Sequence, residues 1–262
     1  MSWVCKECGT NNSSKAIRCC VCGSIKDGIT PEEIASKIDM IIEEVTDMDG
    51  ANKKNPRIHT NVLTNEEAAE LELFDGEVII PEGYDEIGEK AFDGFVMREV
   101  IIPNSVTKID EGAFFNSELT RIFIPKTVVD IDDNVFANCK ELKEIIVEMG
   151  NPIYHSAGNC LIKTATKTLI AGCRRSIIPT DGSVETIGKD AFWGIEGLIE
   201  VDLSTVTRIW DEAFHGCVDL KRIVFNKPKK CWKEVKKSLG WKEYAGNFVV
   251  ECTDGKITKA FA

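Results

Sequence analysis

The stretch VIIPNSVTKIDEGAFFNSELTRIFI, residues 100–124, holds one full period of the sequence and the start of the next. Its opening, Val100-Ile101-Ile102-Pro103, returns 22 residues later as Ile122-Phe123-Ile124-Pro125 and stands 22 residues earlier as Val78-Ile79-Ile80-Pro81. Ala113-Phe114 keeps the same distance from Ala91-Phe92 and Val135-Phe136, and Ala191-Phe192 and Ala213-Phe214 form a later pair at that spacing. Between strand and Ala-Phe lies an apolar pair three apart: Tyr84/Ile87, Val106/Ile109, Val128/Ile131, Val184/Ile187 and Val206/Ile209. Three residues after each phenylalanine comes a further apolar or small residue, namely Phe95, Ser117, Cys139, Ile195 or Cys217. Each unit reads as a short strand, a proline turn and an extended or single-turn return. Alone, such a unit cannot bury its apolar side. Stacked on its neighbours it can, so the expected fold is a repeat solenoid with one short parallel strand per repeat, its phenylalanines stacked as a ladder.

The consensus Leu-x2-Ile-x-Ile-Pro-x2-Val-x2-Ile-x3-Ala-Phe-x2-Cys resembles the BspA-like subclass of leucine-rich repeat proteins, over residues 74–226. That resemblance implies protein binding. An irregular stretch near 151–175 breaks the period and resembles the hairpin-containing repeat of such arrays, a sixth, atypical unit. Residues 227–262, with Trp232, Trp241 and an Asp254-Gly255 turn signal, resemble the ends of these arrays and are expected to form a cap of short helix and hairpin.

Upstream of the array, Cys5, Cys8, Cys19 and Cys22 form Cys-x2-Cys-x10-Cys-x2-Cys, with a glycine after each pair. Zinc takes four thiolates in a tetrahedron, and two such turns close a site with no open position, so the expectation is one structural zinc ion. A segment this short has too few apolar groups to fold unaided, which makes metal binding its main source of folding free energy. Cys20 lies outside the ligand spacing. The pattern resembles both the zinc finger named after a Ran-binding nuclear-pore protein and the prokaryotic zinc ribbons. Where ubiquitin binders of the first family carry Thr-Phe, this chain has Gly9-Thr10, and where RNA binders place an aromatic it has Ser13. The sequence thus divides into a zinc ribbon at 1–28, a helix and acidic linker at 29–73, the array at 74–226 and the cap at 227–262. In the linker, Thr30-Pro31-Glu32-Glu33 is a helix start, and Ile34, Ile38, Ile41, Ile42 and Val45 recur at helical spacing.

Acidic residues outnumber basic ones 43 to 32 in 262 residues, so the chain as a whole repels phosphate. The basic run Lys227, Lys229, Lys230, Lys233, Lys236, Lys237 around Trp232 is the exception, and it keeps open a role as a nucleic-acid-associated regulator acting through finger and tail. No apolar run reaches the length of a membrane span, and the N-terminus lacks the pattern of a secretory signal, so a cytoplasmic location is expected. No phosphate-binding loop or nucleophile elbow occurs. In the repeat register His215 falls on a turn while Cys217 points inward, and the carboxylate pairs Asp110-Glu111, Asp132-Asp133 and Asp211-Glu212 recur with the repeat as a solvated face does. The expected function is a non-catalytic protein-interaction scaffold, its partner unnamed by the sequence.

Overall fold

The computed structural model describes Trp3–Val4, Asn11–Asn12 and residues 62–259. The chain divides into two compact units, Met1–Arg57 and Ile58–Ala262. In the first, β1 (Trp3–Val4) pairs antiparallel with β2 (Asn11–Asn12). The four predicted zinc ligands and the linker helix lie outside the described residues.

The second unit is a β-solenoid of about seven turns. It differs from the expectation in one respect: each regular turn supplies two parallel strands instead of one. A long strand comes from the Val-Ile-Ile segment, giving β5 (Glu77–Ile79), β7 (Glu99–Ile101), β9 (Arg121–Ile124) and β11 (Glu144–Val147). The return segment supplies a short strand ending on the second member of the apolar pair, giving β6 (Glu86–Ile87), β8 (Lys108–Ile109) and β10 (Asp130–Ile131). Two residues are too few to show a period-2 pattern, but the isoleucine must face inward, and stacked turns then bring the backbones into ladder distance. Between return and next strand the chain makes a tight turn, where Phe92 N donates to Ala113 O (2.8 Å) and Phe114 N to Val135 O (3.0 Å).

The ladder of short strands begins upstream of residue 74. β3 (Val62–Leu63) pairs in parallel with β6, and α1 (Asn65–Ala68) follows at once, its Thr64 and Glu67 forming a reciprocal capping box. Leu63 and Ala68 are buried in the same core as the repeats. β4 (Leu73–Phe74) then folds antiparallel onto β5. Residues 62–73, read from sequence as linker, thus form the first turn.

At the break in the period, β12 (Tyr154–Ala157), β13 (Cys160–Lys163) and β14 (Thr168–Ala171) form an antiparallel meander, and β14 re-enters the parallel ladder beside β15 (Thr186–Ile187). The Tyr154 hydroxyl accepts from Ile131 N (2.9 Å) and so ends the first short-strand sheet at β10. Beyond it the two ladders resume as β15, β17 (Arg208–Ile209) and β19 (Lys236–Lys237), and as β16 (Glu200–Asp202), β18 (Arg222–Phe225) and β20 (Val249–Cys252). Residues 227–258 therefore form a further turn as well as a cover. α2 (Lys229–Glu234) replaces the proline turn, and β21 (Gly255–Thr258) folds back on β20.

The phenylalanine ladder forms as two stacks. Phe92, Phe114 and Phe136 stack at centroid distances of 5.4 and 5.6 Å, and Phe192 and Phe214 at 5.2 Å. Between the stacks, Gly172 lies against the Phe192 ring, and a Cβ at that position would come within 2.0 Å of the ring's Cε1. The core is divided in the same place: Leu161 of β13 belongs to the first buried cluster, while its neighbours Cys160 and Ile162 belong to the second.

Candidate interaction surface

Strand alternation decides what the array shows to a partner. In β5, β7, β9 and β11 the middle valines and isoleucines face the core, and the residues between them face out in two rows. One row is charged: Glu77, Glu99, Arg121, Glu144. The other, half-buried along its whole length, is apolar: Ile79, Ile101, Phe123, Ile146. Arg121 ties the charged row together, with Nη2 at 2.9 Å from Glu99 and Nη1 at 3.8 Å from Glu144. Burial, and then the charge of Glu99, raises the Glu77 carboxyl above its ordinary pKa. In the second half of the array the corresponding positions of the apolar row are Asp202, Val224 and Glu251. There Arg222 bonds Glu200 and Glu251, the latter at 3.2 Å, and Lys256 reaches Glu251 at 2.7 Å. An unbroken apolar row is thus a property of the first half only.

The short-strand face carries the recurring carboxylates. They are more than a solvated row. Lys108 Nζ lies 3.2 Å from Glu86, 3.3 Å from Asp110 and 3.9 Å from Asp132, and the hydrogen bond it donates to Glu86 is the largest cause of its raised pKa. A hydrogen bond shared with Asp110 holds the Asp132 carboxyl above its ordinary value, with burial second.

The residues considered for chemistry are dispersed. Cys217 is fully buried and donates to Phe192 O at 3.0 Å, and burial pushes its thiol up to about 12. Cys139 does the same one stack earlier, donating to Phe114 O at 2.9 Å, with its thiol pushed up to about 11. Each is a small hydrophobe whose S–H satisfies a turn carbonyl. The His215 ring stands between Trp193 (5.3 Å) and Tyr244 (5.0 Å), away from the thiol, so the two form no nucleophile-base pair. Cys160 and Cys173 lie in the two core clusters on either side of β13, and burial pushes the Cys160 thiol up to about 12. Among the described residues, no group of three or more His, Cys, Asp or Glu side chains is placed to hold a metal ion.

Within the basic run, Lys237 turns inward. It occupies the register position held elsewhere by Ile209 and Ile187. Its ammonium donates to Trp232 O (2.7 Å) and Val235 O (3.1 Å) and lies 4.5 Å from the Trp232 ring centre. Burial, with the charge of Lys242 second, pushes its pKa down to about 8. No local pattern marks Lys237 for this place, because the short strand's core position is set by stacking.

The model of the BspA-type leucine-rich repeat region matches residues 76–170 and 158–234, with six copies. The chain belongs to the BspA-type leucine-rich repeat family. Among solved structures of similar fold is a leucine-rich repeat protein from Eubacterium ventriosum, 22% identical, the match covering 68% of this chain and 61% of that one at a TM-score of 0.45. A leucine-rich cell surface protein from Faecalibacterium prausnitzii is 24% identical over 68% of this chain and 60% of that one, at 0.41. A leucine-rich repeat protein of T. pallidum is 21% identical over 66% and 72%, at 0.32. The matched part spans about 60% of the first two structures. No curated protein matches the chain. No helix among the described residues is long and apolar enough to cross a membrane.

Proposed function

We propose that this BspA-type chain is a non-catalytic scaffold that holds a protein partner on the outward face of its long strands. The carrying observation is the half-buried row Ile79, Ile101, Phe123 and Ile146, flanked by Glu77, Glu99, Arg121 and Glu144. An apolar strip bordered by oriented charges suits a protein segment, since the strip supplies desolvation and the charges fix register. Lys237 is withdrawn from the basic run, and nothing in the described residues favours a nucleic acid.

The second component of the reading is one structural zinc ion on Cys5, Cys8, Cys19 and Cys22. It rests on the ligand spacing, and β1 and β2 bracket the span of Cys5 and Cys8. Its role is to fold the N-terminal unit. Metal content near one zinc per chain, lost in Cys8→Ser plus Cys22→Ser, is the expected result, and unchanged content in that variant would remove the assignment. A reducing location suits the six free thiols of Cys139, Cys160, Cys173, Cys217, Cys231 and Cys252.

For the scaffold reading, the test is affinity capture from the native host with the full chain, compared with Ile101→Lys plus Phe123→Lys. A stoichiometric protein retained by the first and lost from the second supports it. Identical capture by both variants, or salt-sensitive retention of nucleic acid in place of protein, would end it.

A further inference from the structure

The apolar strip on the long strands begins at an exposed phenylalanine. Phe74 of β4 pairs with Glu77 of β5, and the residue two further along β5 is its diagonal neighbour at ~7–8 Å, which places Phe74 beside Ile79. Phe74 is 80% exposed. From Ile79 the strip continues through Ile101, Phe123 and Ile146, one residue to a strand. Each of these has a charged side chain on one side and Pro81, Pro103, Pro125 or Glu148 on the other. An occupant that covers the strip therefore runs across the strands, along the axis of the array.

Strands stand ~4.8 Å apart, so the strip repeats at that interval. An α-helix brings an apolar side chain to one face about once per ~5.4 Å turn, and so departs from the strip by ~0.6 Å per strand and ~2 Å between Ile79 and Ile146. An extended segment brings one to a face every ~6.8 Å, which is ~2 Å out at the first step and ~6 Å at Ile146. The long strands also spend their backbone groups on one another, leaving none for an incoming strand. Only the helix stays in step. Charge gives it a direction. Arg121 serves Glu99 and Glu144, and Lys126 holds Glu148 at 3.2 Å. One place further out, Arg98 holds Asp75 at 3.1 Å and Lys143 lies 3.9 Å from Glu141. Glu77, opposite the exposed Phe74, has no basic side chain within ion-pair distance among the described residues.

We propose that the strip binds one amphipathic α-helix of a partner protein, laid along the array. The helix places an apolar residue at every third or fourth position against Ile79, Ile101, Phe123 and Ile146, and a lysine or arginine beside them against Glu77. It covers about three turns, because the corresponding row of the second half is interrupted by Asp202 and Glu251. The proposal rests on the scaffold reading and names the kind of segment that the scaffold holds.

Two displayed peptide libraries of about 18 residues test this on the full chain, one with apolar residues at the helical period and one with apolar residues at every second position, both with lysine on the flank. Binders are expected from the helix-patterned library, and a synthetic binder should gain helical circular dichroism when bound. Its affinity should fall at least about tenfold in Ile101→Lys plus Phe123→Lys, and about three- to fivefold in Glu77→Gln. If the double variant does not fold by circular dichroism, Phe74→Ser, at an exposed side chain, replaces it. Binders from the alternating library alone, no binder from either, or binding indifferent to these substitutions would overturn the helix. Capture of a host protein that is lost in Ile101→Lys plus Phe123→Lys would, beside any of those results, leave the scaffold reading standing. Failure of that capture ends the scaffold reading by itself.

Discussion

The two halves of the array solve the same packing problem differently. Before the meander, similar turns repeat at 22 residues, with 23 at the last step, and Phe92 and Phe114 stack nearly parallel, 3° apart. After it, the stack has only Phe192 and Phe214 and ends on the edge of Trp241 at 82°. Trp241 then joins Trp232 and Phe248 in a cluster of tilted and edge-on rings. A stack in which each ring needs a neighbour has no natural end. The terminal turn must therefore be built from different residues, and here large aromatics at unrepeated positions close it. At the opposite end Phe95 meets Phe92 edge-on, at 83°.

The strongest way to break this contrast is to remove a ring from the regular stack. Phe114 is fully buried between two other phenylalanines, so Phe114→Ala should cost ~3–5 kcal/mol in denaturant melts. A midpoint equal to that of Glu118→Ala, an exposed change expected to stay within ~0.5 kcal/mol, would show that the ring does not carry the stack. Next in size is Gly172→Ala. Its methyl must displace the Phe192 ring, so the expected loss is ~1–3 kcal/mol, although the substitution is mild on an ordinary strand. Phe192→Ala should relieve that clash, so the double variant should lose less than the sum of the single ones.

A smaller effect sharpens the contrast at the closing turn. Lys237 stands where isoleucine stands in the other turns, and its folded pKa of about 8 lies below the ordinary 10.5. A depressed amine means that the fold penalises the charged form. The penalty is complete below about pH 8 and is lifted as pH rises towards 10.5. Lys237→Met should therefore be more stable than the wild-type chain at pH 7, by on the order of 1 kcal/mol, with the difference shrinking towards pH 10. Parallel stability curves across that range would show that the ammonium is solvated. Smallest of all is the effect of chelation on the array. Removing metal from the full chain should leave the array's melting midpoint in place, because the two units are compact separately.

Most of the array was legible because its signal is repetition. The long strands, the phenylalanine column and the inward thiols of Cys139 and Cys217 follow from one period. The short strands did not, since Lys108-Ile109 has no alternation to read and becomes a strand only when another turn lies beside it. The last turn was hidden for a related reason. Its register positions hold Lys237 in place of isoleucine and Trp241 in place of alanine, so its sequence does not match the repeat its backbone obeys. The recurring carboxylates are visible in the sequence, but only the fold puts Asp110, Asp132 and Lys108 together. Cys5, Cys8, Cys19 and Cys22 carry their own signal in spacing alone.

Strand β13 is buried on both sides, with Cys160, Leu161 and Ile162 all inaccessible, and it divides one ring stack from the other. The separation holds for the two phenylalanine stacks; nearer the surface the halves still touch, with the Trp193 ring 5.4 Å from that of Phe115 and the Trp193 carbonyl accepting from Asn138 N (2.8 Å). Loss or duplication of a single 22-residue unit, which is one step for a gene that repeats itself, would shorten or lengthen one phenylalanine stack without adding or removing a ring in the other. The meander thus works as an expansion joint, and the two halves of such an array are free to diverge in length as well as in charge.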